Sequence, residues 1–74
     1  MTPAESRQEL GLTQSQLARL MGNTSAMTVS KWETGKRHQT AQAAELLRLL
    51  LWLHEEYPRI YAQWVGNQQT PAGD

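Results

Sequence analysis

Apolar residues recur at helical spacing along most of the chain, and polar capping residues divide them into segments. The TPAE segment at residues 2–5 has an N-cap, a proline at the first helical position and a capping-box glutamate. These residues predict a first helix that ends near Leu10, before Gly11. A second capping box, TQSQ at residues 13–16, predicts a second helix that ends at Gly22.

A capping residue and a terminal glycine also predict a third short helix. Ser25 or Thr24 can cap it, and it reaches residues 32–34 before Gly35. Three short helices in succession, each with a cap and a terminal glycine, indicate an all-α chain.

Two further helices are predicted in the second half of the sequence. Thr40 can cap a longer fourth helix over residues 41–55. Pro58 suits the first turn of a fifth helix, which is predicted to run through Trp64 and to end at Gly66.

The predicted architecture is one all-α domain of five helices. Seventy-four residues are near the lower limit for a domain that buries its own core. We expect the domain to occupy residues 1–65. The polar, Pro- and Gly-containing residues 66–74 are expected to form a flexible tail.

The fourth helix is apolar around most of its circumference, which predicts two buried faces. One face is expected to close the core: Ala44, Leu47, Leu50 and Leu51. The other requires a cover from outside the core: Leu46, Leu49 and Leu53. The fifth helix could supply the whole cover. The alternative, which we favour, is a homodimer interface made of Leu46, Leu49, Leu53, Ile60 and Trp64.

Composition excludes several kinds of chemistry. The chain has no cysteine, and therefore no disulfide, thiolate metal site or cysteine nucleophile. His38 and His54 lack companions at metal-ligand spacing, and the adjacent Glu55 and Glu56 cannot face each other as an acid/base pair. We therefore expect no enzyme activity, metal, cofactor or small-molecule effector.

The absence of a signal-like or membrane-length apolar run predicts a soluble cytoplasmic protein without a membrane partner.

Charge is distributed unevenly although the formal net charge is zero. Residues 1–37 contain five bases and three acids, whereas residues 38–74 contain two bases and four acids. Within residues 13–37 the balance is four bases to one acid. Because phosphate neutralisation requires only a local basic face, this segment is suited to nucleic acid.

Residues 12–37 read LTQSQLARLMGNTSAMTVSKWETGKR. This segment resembles the lambda-repressor-like (Xre/Cro-type) helix-turn-helix family, with its L-T-Q-x-x-L-A-x-x-L-G and T-[IV]-S-x-W-E-x-G-[KR] elements. The resemblance implies a helix-turn-helix over residues 13–37 and sequence-specific binding of double-stranded DNA. It also implies a small autorepressor of a phage or mobile element, such as the regulators encoded beside anti-CRISPR genes.

Residue types within the motif are consistent with this geometry. Ala18 is small where two helices approach closely. Val29 and Trp32 are three residues apart and can both point inward, against Leu17 and Met21. An inward position is far more natural for Trp32 than base stacking, and the opposite side of the third helix is then free to enter the major groove.

Candidate DNA contacts fall into two groups. The outward positions of the third helix are candidate base contacts: Ala26, Met27, Ser30 and Lys31. Candidate phosphate contacts lie in and around this helix: Ser25, Thr28, Lys36 and Arg37, with Gln14 at the start of the second helix as the resemblance implies.

Several of these candidates have a second interpretation. Met27 can pack on a thymine methyl group or lie against the domain surface, and Lys31 can reach guanine or a phosphate. Ser25 and Thr28 can bind phosphate or cap the helix. The cations at residues 36–37 can clamp phosphates or form a solvated turn.

The spacing departs from the family at one point. Nine residues separate Gly22 from Trp32, one more than usual. We place the extra residue in the turn at residues 23–25; inside the helix it would shift the roles of Ala26 and Met27 by one position.

These inferences predict a dimeric repressor, controlled by its own concentration, on an inverted-repeat operator. The alternative is an antitoxin-like module that neutralises a protein partner through its C-terminal helices.

Overall fold

The computed structural model describes residues 2–22 and 24–69, and every regular element within these ranges is an α-helix. The elements are α1 (Pro3–Leu10), α2 (Gln14–Leu20), α3 (Ala26–Glu33), α4 (Ala41–Glu56) and α5 (Pro58–Gln69). The prediction of five helices in this order is confirmed.

Side-chain caps fix the starts of α1, α2 and α4. The hydroxyl of Thr2 accepts from the Glu5 amide at 3.2 Å, and the Glu5 carboxylate accepts from the Thr2 amide at 2.8 Å. Thr13 and Gln16 form the same reciprocal pair at 3.1 and 2.9 Å. Thr40 accepts from the third amide of α4 at 3.0 Å. These bonds satisfy amides that a helix otherwise leaves without partners, so the helix starts follow from the local sequence.

The fifth helix is longer than the sequence predicts. It continues through Gly66 to Gln69, so the predicted end at Gly66 is wrong, and the predicted flexible tail begins with helical residues 66–69. Glycine inside a helix costs only about 1 kcal/mol. Trp64 and Val65, just before it, pack partly against the core and hold this end of the helix. Residues 70–74 lie outside the described part of the chain.

The core lies where the five helices meet. α2 packs against α3, α4 against α5, α1 against α3 and α4, and α5 against α2. Its most buried large side chains, Leu17 and Val29, lie on the two helices of the predicted helix-turn-helix. The remaining buried apolar residues surround them: Leu10, Leu12, Ala18, Leu20, Trp32, Leu47, Leu50 and Tyr61.

Tyr61 connects the last helix to the first. Its side chain is buried, and its hydroxyl donates to the Leu10 carbonyl oxygen at 3.0 Å. Burial raises the pKa of Tyr61, so the phenol keeps the proton that it donates. The His54 ring meets the Tyr61 ring edge-on, with 5.0 Å between centroids. α5 is thereby held on the domain rather than extending away from it.

α4 has one apolar face in the core and a second that is only partly covered, as the sequence predicts, although Leu46 and Leu53 of the second face also pack partly against the core. Leu47 and Leu50 are buried in the core, with Ala44 and Leu51 partly buried beside them. Leu49, on the other face, is 55% exposed. Coverage of this face by α5 is incomplete, which rules out the alternative in which α5 covers it entirely.

Candidate nucleic-acid interface

α3 is anchored on α2 through its inner side. Val29 is fully buried and Trp32 is 9% exposed, and both belong to the same cluster as Leu17. Ala18, 2% exposed, occupies the close approach that was expected to require a small residue. The inward assignment of Val29 and Trp32 is confirmed, and it fixes which side of α3 faces outward.

The outer side of α3 carries the four predicted base contacts. Met27 is 67% exposed, so most of its side chain is open to solvent, which favours the major-groove contact over packing on the domain surface. Ala26, Ser30 and Lys31 are partly exposed. Few hydrogen-bonding groups are therefore presented, and one of the most prominent side chains is apolar.

The start of α3 is fixed by two hydroxyl groups. Ser25 accepts from the Thr28 amide at 3.1 Å, and the two hydroxyl oxygens are 3.0 Å apart. Ser25 is thus the N-cap, as one interpretation of the sequence held, while phosphate contact by either hydroxyl stays a prediction. Because α3 begins at Ala26, Thr24 and Ser25 precede the helix; Asn23, where the extra residue was also placed, lies outside the described residues.

A tight turn after α3 presents two cations. Gly35 has a φ of 78°, a left-handed conformation that side chains disfavour. The turn lets the Lys36 and Arg37 amides donate to the Lys31 carbonyl oxygen at 2.9 and 3.2 Å. Both cationic residues are exposed directly beyond the recognition helix. This placement suits phosphate contacts, which stay a prediction.

A cluster of three side chains joins α1, α2 and the end of α3. Arg7 donates through Nε to Glu33 Oε2 at 2.6 Å and through Nη2 to Glu33 Oε1 at 3.2 Å. Its Nη1 also donates to the Leu12 carbonyl oxygen at 2.9 Å. Gln14 Nε2 donates to Glu33 Oε1 at 3.1 Å. An amide nitrogen has two hydrogens, so this bond leaves a phosphate contact by Gln14 open as a prediction.

The cluster neutralises the single acid of residues 13–37. The hydrogen bonds from Arg7, and secondarily that from Gln14, lower the pKa of Glu33, and the bond to Glu33 raises the pKa of Arg7. The two side chains are only 18% and 9% exposed. Glu33 therefore adds little negative potential to the basic segment around it.

Arg7 is a member of this cluster that the sequence does not predict. It lies 26 positions before Glu33, outside the motif, and no local periodicity connects the two. The available signal was Glu33 itself, an acid inside a basic segment, which calls for a cationic partner somewhere in the fold.

The predicted interface residues are brought together between the two C-terminal helices. With Leu50 they line one apolar groove of about 320 Å³ between α4 and α5: Leu46, Leu49, Leu53, Ile60 and Trp64. Leu46 also borders a second hollow of about 360 Å³, which extends to Trp32, Thr28 and Arg37 beside the recognition helix. The groove and α3 are thus neighbouring parts of one small domain.

Other kinds of site find no support among the described residues. Over residues 2–22 and 24–69, no group of three or more His, Asp or Glu side chains is arranged to hold a metal ion. None of the helices in those ranges is long and apolar enough to cross a membrane.

Comparison with known proteins assigns the family. A family model described as Helix-turn-helix matches residues 4–51, which is more than half of the chain and extends from α1 into α4. Searches of the curated proteins and of the solved structures each returned no match. With the geometry of α2 and α3, the match shows that the chain belongs to the lambda-repressor-like, Xre-type helix-turn-helix family of DNA-binding transcription regulators.

Proposed function

We propose that the protein is a homodimeric repressor of its own gene and that it binds an inverted-repeat operator. The observation that carries this proposal is the unfilled apolar groove between α4 and α5, next to a basic helix-turn-helix. The groove explains why two copies would associate, and the helix-turn-helix explains what the pair would bind.

Exposed apolar area makes association favourable. Leu49 and Ile60 are 55% and 53% exposed although they line the same groove. Removing apolar surface from water contributes roughly 25 cal/mol per Å². A second copy that covers the groove therefore gains free energy without disturbing the core beneath it.

The size of one domain suits a two-fold operator. Dimeric helix-turn-helix proteins place two recognition helices in successive major grooves, about 34 Å or ten base pairs apart. One copy measures 32 × 31 × 19 Å, so two copies side by side fit that separation. In this arrangement residues 26, 27, 30 and 31 read bases, while residues 14, 25, 28, 36 and 37 hold phosphates.

Repression of its own gene follows from this mode of assembly. Dimerisation depends on protein concentration, and a two-fold operator is bound tightly only by the dimer. Operator occupancy therefore rises steeply as the protein accumulates. A bound dimer that covers promoter DNA would lower transcription and so limit further synthesis.

A reporter driven by the DNA upstream of the gene tests the proposal. The wild-type protein should lower reporter output, and Leu49→Asp should abolish repression by placing a charge in the groove. Ala62→Asp is the control, because it adds the same charge at an exposed position of α5 outside the groove lining. Equal repression by Leu49→Asp and wild type would contradict the dimer, and increased output would contradict repression.

The antitoxin-like alternative predicts a different outcome in the same strain. The Leu49→Asp variant would then lose a stable complex with another gene product, whereas the wild-type chain would show no homodimer. Sedimentation of the purified wild-type protein distinguishes the two.

A further inference from the structure

Two exposed aromatic residues lie beside the groove but do not line it. Trp52 is 52% exposed and Tyr57 is 49% exposed. Their ring centroids are 5.4 Å apart, with the planes tilted by 59°. Trp52 follows Leu49, a groove residue, by three positions on α4. The exposed indole thus lies on the same side of α4 as Leu49, one of the groove residues.

The outer side of α4 can be followed by helical spacing. Positions three or four apart share a face, so Gln42, Glu45, Leu49, Trp52 and Glu56 form one line along the helix. All five are exposed. If two copies pair across this line, its charges constrain how they align.

Like charges exclude two of three simple alignments. In a parallel pairing each glutamate of the line, Glu45 or Glu56, faces its own counterpart. In an antiparallel pairing centred between Leu49 and Trp52, Glu45 faces Glu56 of the partner subunit. Like charges directly opposite each other destabilise a pairing.

An antiparallel pairing centred on Leu49 avoids both conflicts. Positions equally far before and after Leu49 then face each other, so Glu45 meets Leu53 of the partner subunit and Glu56 meets Gln42 of the partner subunit. Trp52 meets Leu46 of the partner subunit, and Leu46 is a groove residue. Of the three alignments, this is the one without like charges opposite each other, and it points each indole at the other copy's groove.

We propose that two copies pair antiparallel across α4 at Leu49, and that the Trp52 indole of each copy fills the groove of the other. The proposal rests on the homodimer proposed above and specifies its interface. It is self-complementary, as a two-fold dimer requires. Aromatic side chains bury about 150–250 Å², and central aromatic anchors carry much of the binding energy of interfaces.

Cysteine cross-linking tests the alignment, since the chain contains no cysteine of its own. Under mild oxidation, Leu49→Cys should form a disulfide-linked dimer, because only a residue at the two-fold axis meets itself. Trp52→Cys should link to Leu46→Cys in a mixture and not to itself. Glu55→Cys, away from the outer line of α4, is the control and should stay monomeric on a non-reducing gel.

Sedimentation equilibrium of Trp52→Ala tests the anchor without cysteines. The dimer Kd should rise at least ten-fold, whereas Glu55→Ala should leave it within two-fold. A wild-type dimer with an unchanged Kd in Trp52→Ala, or self-linking of Trp52→Cys without that of Leu49→Cys, would overturn this interface and leave the homodimer standing. A wild-type chain that stays monomeric up to high micromolar concentration would overturn both proposals.

Discussion

The helix-turn-helix half and the C-terminal half of the molecule differ in how completely their apolar side chains are buried. In α2 and α3 Leu17 and Val29 are fully buried, and Met27 is the one large apolar side chain that is mostly exposed. In α4 and α5 apolar side chains are buried on one face and about half exposed on the other, as at Leu49 and Ile60. The first half is complete as a packed unit, whereas the second retains a surface suited to another molecule.

Charge follows the same division. The four bases of residues 13–37 face a single acid, which Arg7 neutralises from outside the segment. The second half carries more acids than bases. The proposed function therefore places DNA attraction and assembly on different surfaces, and substitutions should be able to separate them.

The largest expected effect is on core stability. Leu17→Ala should lower the free energy of unfolding by about 2–5 kcal/mol, because it leaves a cavity at a fully buried site. Leu49→Ala removes the same atoms from an exposed site and should change the free energy of unfolding by less than about 0.5 kcal/mol. Urea unfolding at a protein concentration low enough to keep the chain monomeric measures both. Similar losses in the two variants would contradict the contrast between the halves.

The next largest effect is expected at the cluster behind the recognition helix. Arg7→Ala should cost about 2–3 kcal/mol of unfolding free energy, because a mostly buried carboxylate loses its cation. Arg48→Ala is the matched control, since Arg48 and Glu45 have a similar 2.7 Å separation but are 76% and 70% exposed. It should cost less than about 0.5 kcal/mol. Equal losses would show that burial of the Arg7–Glu33 pair does not matter.

A base-reading lysine should affect both affinity and preference. Lys31→Ala is expected to weaken operator binding by about 1–3 kcal/mol and to blur one base preference. Titration of a set of singly substituted operators measures both quantities. A uniform loss on all sequences would reassign Lys31 to a phosphate.

A smaller change is expected just beyond α3. Lys36→Ala should reduce the salt dependence of binding by about one unit in the slope of log K against log salt concentration, with base preference retained. An unchanged slope would remove Lys36 from the DNA contact surface. Arg59→Ala, an exposed cation on α5, is the control and should leave the slope as in the wild type.

The smallest effect is expected on the stability of the folded protein at low pH. The pKa of Glu33 is lowered in the folded state, so its stabilising contribution is present above the ordinary value of 4.5 and is lost as pH falls through the folded pKa. Wild-type stability should therefore fall more steeply below pH 4.5 than that of Glu33→Gln. Parallel curves for the two proteins would contradict this assignment.

Local features were predictable and distant pairings were not. Thr13, Ser25 and Thr40 cap their helices through bonds to residues three positions away, so a short stretch of sequence contains the whole interaction. The pairs Arg7–Glu33 and Tyr61–Leu10 join residues 26 and 51 positions apart, which only the folded chain brings together. The predicted end of α5 at Gly66 is wrong because packing of the preceding residues outweighs the low helix propensity of glycine.

The apolar groove was only partly predictable from the sequence. Its α4 residues were identifiable because Leu46, Leu49 and Leu53 are too many for a helix with a single buried face. How far α5 covers them depends on the angle at which α4 and α5 pack, which the sequence does not specify. The exposure of Leu49 and Ile60 is what the structure adds.

Hydroxyl-radical footprinting on the DNA upstream of the gene tests most directly whether two copies of the protein bind through α3. We predict two protected patches related by a two-fold axis, with half-site centres about ten base pairs apart. A single unpaired patch would contradict the dimeric arrangement. Absence of protection at concentrations where the wild-type protein lowers reporter output would contradict repression through operator binding.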